Sequence, residues 1–430
     1  MTPARFLLVA GLLAGAVHLH ALVHPPGAAS AVVQSEIRMV PVEGEAGRYW
    51  TRWRGPSGQG LVEGAGYVDR WSSSENILWK TPLPGRGNSS PIVWRDRVFL
   101  TTAHDGGARL AVLAFRRADG APLWETTVPG RAGRAHQKNG QASATAATDG
   151  ERVYVSFGSV LAALDLEGRV VWRQEFGPIT NYHGAAGTPL LYGERVIVYQ
   201  DQYRDSFIAA FDARTGRELW RTPRTASVGW GTPVAVRVGD RDEIVVNGQG
   251  RVRAYDPMSG AELWFCSGTT NEVVPTPVVG HGLVFSTSGR AGPTLAIRPG
   301  GRGDVTRTHL AWRTPRGSPF VPSPVLLGDL LYMVNDMASI ATAIHAGTGE
   351  VAWQGRLGVA TREGFSASPV AVDGKVFFTN DLGDTFVLRA GPAFELLHVN
   401  SLGERTLASP ALVEGRWYVR TERHLIAIGR

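Results

Sequence analysis

Two Asn-Asp pairs, Asn335-Asp336 and Asn380-Asp381, stand at matching places of the sequence and are the clearest acidic candidates. With Asn271 and Glu272 they offer the hard oxygen donors that Ca²⁺ takes, which makes Asp336 and Asp381 candidate metal ligands. The competing reading is that Asn-Asp pairs shape turns by bonding their own backbone. Glu272 is also a candidate general base, which requires a raised pKa. His183 is a candidate base or ligand, because imidazole titrates near neutrality. Tyr182, Trp230, Asn271, Phe320 and Phe365 occupy comparable polar and aromatic stretches and are candidates for ligand contact. No Gly-x-Ser-x-Gly, His-Glu-x-x-His or EF-hand spacing occurs. The single Cys, Cys266, excludes an intrachain disulfide and any Cys-rich zinc or iron–sulfur site. No Cys-x-x-Cys-His exists to attach a haem.

The rest of the composition says what can position such residues. Of 430 residues, 53 are Gly and 13 are Trp, while only 19% are charged, a mix that favours short strands and tight turns. A hydrophobic fraction of 43% is too high for disorder, and a net charge of +6 is too diffuse for nucleic-acid binding. Arg5 precedes an apolar run from Phe6 to Val17, and Ala29-Ser30-Ala31 is a small-x-small site, so residues 1–31 are expected to be a secretory signal peptide. The run is short of the about 20 residues a membrane span needs; an uncleaved anchor is the alternative. No Cys follows it to carry a lipid. His18, His20 and His24 lie in or beside this segment and are assigned no ligand role. Residues 32–75 are expected to be a Gly/Pro-rich extension lying against the body through Trp50 and Trp53. Its glycines do not make a phosphate loop, because no strand precedes them and no Gly-Lys-Ser/Thr follows.

From residue 76 onward the chain repeats itself. A small residue followed by Pro occurs at Ser90, Thr188, Thr232, Thr276, Ser323, Ser368 and Ser409, with a degenerate copy at Thr145-Ala146. The mean spacing is about 46 residues, the period of a propeller blade. A second landmark, Trp after an apolar residue, recurs at Trp79, Trp124, Trp172, Trp220, Trp264, Trp312 and Trp353, with Leu397 in the next slot. These Trp are expected to pack blade against blade, since a large flat ring fills a wedge-shaped interface. β-branched runs separated by Gly/Asp turns give four strands per repeat. The fold expected is all-β: an eight-bladed β-propeller of four-stranded antiparallel blades over residues 76–430. The first landmark Trp precedes the first Pro, and no copy of that Trp landmark follows the last Pro, since Trp417 comes after Arg416. The segment around Trp79 should therefore complete the last blade and close the ring.

In such blades the turns between strands one and two, and three and four, share a face; here they are tight, as in Tyr192-Gly193-Glu194. The opposite face carries longer connections. These include Arg134 to Asn139, Asn181 to Gly184, the segments holding Asp201 and Asp205, and every candidate named above. Ligand binding is expected there, near the central channel, because function concentrates on elaborated loops over a rigid scaffold.

Ala210-Phe211-Asp212-Ala213-Arg214-Thr215-Gly216-Arg217-Glu218-Leu219-Trp220, and its counterpart Ala254 to Trp264, resemble the repeat of the PQQ-like (quinoprotein-type) β-propellers. The segment Trp50 to Gly60 resembles the lead-in of exported bacterial members. The resemblance implies either of two functions. One is a PQQ- and calcium-dependent dehydrogenase. The other is a non-catalytic propeller that binds a protein, peptide or saccharide, as an outer-membrane assembly subunit does. The dehydrogenases carry an adjacent Cys-Cys pair over the cofactor, whereas here Cys266 precedes Ser267. The expectation is therefore an exported, periplasmic or extracellular, monomeric binding protein without a membrane span after signal cleavage.

Overall fold

The computed structural model describes residues 36–360 and 364–430. The expected signal segment and its histidines lie outside the described residues. Residues 35–430 form one compact unit.

Eight four-stranded antiparallel blades make up the body. Blade three is representative: Leu190–Tyr192, Arg195–Gln200, Phe207–Asp212 and Glu218–Pro223 pair in sequence order from the inner strand outward. Blade eight is built from Ala411–Val413, Arg416–Arg420 and His424–Ile428, and its outer strand is Ile77–Pro82. Trp79 faces Ala427 and Pro82 faces His424 in that pairing, so the ring closes where the order of landmarks placed the seam.

Both repeated landmarks have a physical cause. In blades two to eight the Ser/Thr hydroxyl accepts the backbone N–H of the equivalent residue one blade earlier. The links run Ser90 to Thr145, then Thr188, Thr232, Thr276, Ser323, Ser368 and Ser409, at 2.9–3.4 Å. This belt stitches the blades at the mouth of the channel, and each bond contributes about 1 kcal/mol net. Thr145, read as a degenerate copy for want of a Pro, is a full member, because the hydroxyl carries the contact. The Trp landmark works on the outer side. Trp79, Trp124, Trp172, Trp220, Trp312 and Trp353 each donate Nε1 to a backbone carbonyl of the following blade at 2.8–3.1 Å. In five of them the ring lies under the hairpin glycine of that blade, whereas Trp353 packs against Phe394. A Cβ on Gly216 would sit 2.6 Å from Trp172, and its φ of +75° already disfavours any other residue. Trp264 departs from the pattern: it donates to Glu243 of its own blade at 2.7 Å. The next blade has a longer connection there, whose Gly303–Asp304 pairs alongside Trp264 and Phe265.

The extension does more than lie against the body. Ile37–Met39 adds antiparallel to the inner strand of blade four, and Leu61–Val62 adds parallel to that of blade seven. Between them the chain crosses the channel. Trp50 O accepts Val93 N–H of blade one at 2.8 Å, and Thr51 O accepts Thr148 N–H of blade two at 2.9 Å. The Gln59 side chain accepts Val279 N–H of blade five at 2.6 Å, Arg54 donates to Pro324 O of blade six at 2.6 Å, and Gly60 O accepts Ala371 N–H of blade seven at 2.8 Å. Trp50 is 1% exposed, and a Cβ on Gly55 would strike its ring at 2.5 Å. The segment is a stopper inserted from the tight-turn side. Beyond it, Trp71 stacks on Phe377 and Trp417 donates to Val68 O at 3.0 Å, leading the chain out to the closing strand.

Candidate functional site

With one end of the channel stoppered, the long-loop face holds a basin of about 730 Å³. His136, His183, Trp230, Arg290, Phe320 and Met337 line it, with Lys138 and Asp336. Rigid inner strands present these side chains on the connections into each first strand and between strands two and three.

One wall is an aromatic and charged cluster. His183 packs between Tyr182, at a ring distance of 3.9 Å, and the edges of Trp230 and His136, at 5.2 and 5.0 Å. Trp230 Nε1 is fixed by Gly184 O at 2.9 Å. Glu272 accepts from both the Tyr182 hydroxyl and Arg290 Nε, and the Arg290 guanidinium lies 4.8 Å from the Phe320 ring centre. Burial pulls the Glu272 carboxyl upward, but the bonds from Arg290 and Tyr182 outweigh it and hold the pKa below the ordinary value. That is the reverse of what a general base needs. Burial and the neighbouring His136 lower the His183 pKa, so its ring is neutral at pH 7.

The floor holds the two aspartates. Asp381 is fully buried and takes the Lys138 ammonium at 2.6 Å and the Ser366 hydroxyl at 3.1 Å. Lys138 comes from the connection after blade one and spans to blade seven. Asp336 accepts Phe320 N–H at 2.7 Å. Burial, reinforced by the Asp381 charge, pushes its carboxyl up to about 6 against the lowering effects of that N–H and Lys138. Burial likewise raises Asp381, and Lys138 offsets this only in part.

The candidates thus divide. Tyr182, His183, Trp230, Glu272 and Phe320 meet in one wall, and Asp336 and Asp381 meet on the floor. Asn271 is exposed. Phe365 does not face the basin: it is 2% exposed and packs on Phe386, so it is a core residue. Asp201 is structural too, forming a buried bidentate pair with Arg224 at 2.6 and 2.9 Å. Arg290 and Lys138 are essential to the arrangement. No motif marks Arg290, and nothing periodic ties Lys138 to Asp381.

The calcium expectation does not fit these residues. The ammonium of Lys138 and the Ser366 hydroxyl take Asp381 Oδ2, and no group of three His, Cys, Asp or Glu side chains among the described residues could hold a metal ion. The acidic pairs on which the metal reading rested serve a salt bridge and a backbone N–H instead.

A family model described as outer membrane protein assembly factor BamB matches residues 61–176 and 108–355. The chain belongs to that family. A BamB of Burkholderia pseudomallei is 27% identical over 269 residues, which cover 60% of this chain and 63% of that protein, less than two thirds of its length. Among solved structures, BamB from Moraxella catarrhalis superposes with a TM-score of 0.59 at 15% identity, covering 82% of this chain and 97% of that one. The quinohemoprotein alcohol dehydrogenase of Comamonas testosteroni gives 0.62 at 14% identity, covering 90% and 82%. A europium-containing methanol dehydrogenase gives 0.65 at 11%, covering 90% of each. At these identities the structural likeness establishes the fold, an eight-bladed PQQ-type propeller, and no chemistry.

Proposed function

We propose that the chain is an exported, non-catalytic scaffold whose long-loop basin binds a segment of another protein. The observation that carries this reading is the state of the basin's carboxylates. Glu272 is held by Arg290 and Tyr182, and Asp381 by Lys138, so these two stabilise the wall and floor, while Asp336, which accepts the Phe320 N–H, is the carboxyl that still faces the basin. What remains open is an aromatic and apolar surface with cationic and amide groups around it, the composition of a protein-recognition patch. Large apolar side chains exposed on this face include Tyr182, Tyr203, Met337, Val359 and Leu382; Met258, and Leu123, Val170, Val351 and Leu396 at the starts of outer strands, are exposed toward the tight-turn side. Kinship with BamB supports a protein partner and an outer-membrane-facing, periplasmic setting. Among the described residues no helix is long and apolar enough to cross a membrane.

The test uses a photo-crosslinking side chain in place of Phe320, in cells that export the protein, together with PQQ and Ca²⁺ added to the purified chain. The expected result is a polypeptide adduct and no change in absorption. Stoichiometric PQQ uptake with alcohol-dependent dye reduction would overturn the scaffold reading.

A further inference from the structure

Arg420 lies at the end of the second strand of blade eight and is 3% exposed. Its Nη1 donates to Ser89 Oγ and Thr101 O, both at 2.8 Å, and to Ser89 O at 3.4 Å. None of these acceptors is charged, and its Nε has no partner. Arg224 provides the internal contrast, because it is equally deep yet carries the Asp201 carboxylate. A guanidinium buried without a counter-ion is costly, so the charge at Arg420 asks for an anion.

The space for one lies beside it. A cavity of about 80 Å³ opens between Arg420, Arg86 and Arg405, with the amide side chains of Gln137 and Asn139 on its wall. A water needs about 10–15 Å³ in this measure, so the cavity takes a group of several heavy atoms. Among the described residues Glu422 is the one acidic residue lining it, and it is exposed at the rim, opposite the buried Arg420 and the exposed Arg86. Asn88, Asn139 and Leu407 line both this cavity and the basin, so the two adjoin.

We infer that the pocket between blades eight and one binds a single oxyanion, the carboxylate of an acidic side chain or chain end on a polypeptide seated in the basin. Planar guanidinium forks suit a carboxylate or its tetrahedral analogues. The anion chemistry stands on the pocket alone; its polypeptide source rests on the scaffold reading above.

The probe is sodium sulfate, titrated calorimetrically into the full chain against sodium chloride at equal ionic strength. One saturable site is expected, weakened at least tenfold by Arg86→Gln, whose side chain is exposed, and by Arg420→Lys, which keeps a charge but loses the fork. No saturable binding, or binding unchanged in Arg86→Gln, overturns the site; that variant decides the matter if Arg420→Lys fails to fold. Acidic peptides should then displace sulfate. Loss of displacement on C-terminal amidation assigns the chain end, and loss on Asp→Asn and Glu→Gln exchange assigns the side chain. Sulfate binding that no peptide displaces retains the oxyanion site and overturns its polypeptide source.

Discussion

The two ends of the central channel are built from the same eight repeats and come out opposite. At the tight-turn end the extension fills the bore with Trp50, Arg54 and Gln59, each bonded to or packed on an inner strand. At the long-loop end the bore widens into a basin whose polar groups are held by one another, as Lys138 holds Asp381 across blades and Arg290 holds Glu272 within blade five. One end is finished as core and the other as surface. The repeat already sets a tight-turn face against a long-loop face, and the extension, which enters from the tight-turn side only, makes one the closed side and leaves the other as the binding side.

That contrast can be broken from the closed side first. Trp50→Ala removes a fully buried ring from the stopper and should cost about 3–5 kcal/mol of stability by denaturant unfolding, with faster hydrogen exchange in residues 50–62. A loss under 1 kcal/mol would mean that the stopper is not part of the folded core.

On the open side the expected sign reverses. The folded pKa of Asp336, about 6, lies above its ordinary value of 3.8. The folded state therefore holds its proton longer than the unfolded chain does. Stability falls as pH rises from about 4 to about 6 and stays lower above that. Asp336→Asn keeps an acceptor for Phe320 N–H and removes the charge. It should match the wild type below pH 4 and exceed it by on the order of 2 kcal/mol at pH 7. Thermal melts across this range check the sign, and a variant less stable at pH 7 would show the carboxylate to be well paired.

Smaller again is the belt that separates the two ends. Thr232→Val removes the hydroxyl that accepts Thr188 N–H and should cost about 1 kcal/mol, with Thr232→Ser close to neutral. Equal losses in both variants would assign the effect to packing. Least of all, Phe320→Ala in the basin wall should leave stability within about 0.5 kcal/mol while abolishing partner adducts, since surface positions outside a packed core are nearly neutral.

The sequence carried the fold further than the site, and the reason is periodicity. Trp79 before the first Pro, and no copy of the Trp landmark after Pro410, were enough to place the closing seam, because eight copies average out local noise. Even so, the Pro was a proxy. The working atom is the Ser/Thr hydroxyl, and attention to Thr145 as a threonine would have shown it. The basin shows the opposite case. Tyr182, His183, Trp230, Glu272 and Phe320 could be placed on the right face by strand counting alone. What each does depends on partners that no repeat specifies, such as Arg290 in its Gly289-Arg290-Ala291 turn and Lys138 on the connection from blade one to blade two. Asp336 and Asp381 resembled metal ligands because Asn-Asp looks the same in sequence whether it faces a cation, a lysine or a backbone N–H. Phe365 was misplaced because an aromatic residue just ahead of a first strand can turn inward, and here Phe386 receives it.

Met258 and Met337 give a matched pair for the central claim: they are 57% and 63% exposed, one on the closed face and one on the open face. A photo-crosslinking side chain at each, in exporting cells, compares the faces directly. Protein adducts at 337 with none at 258 are the predicted result, and adducts at 258 with none at 337 would contradict the assignment of the long-loop basin as the binding side.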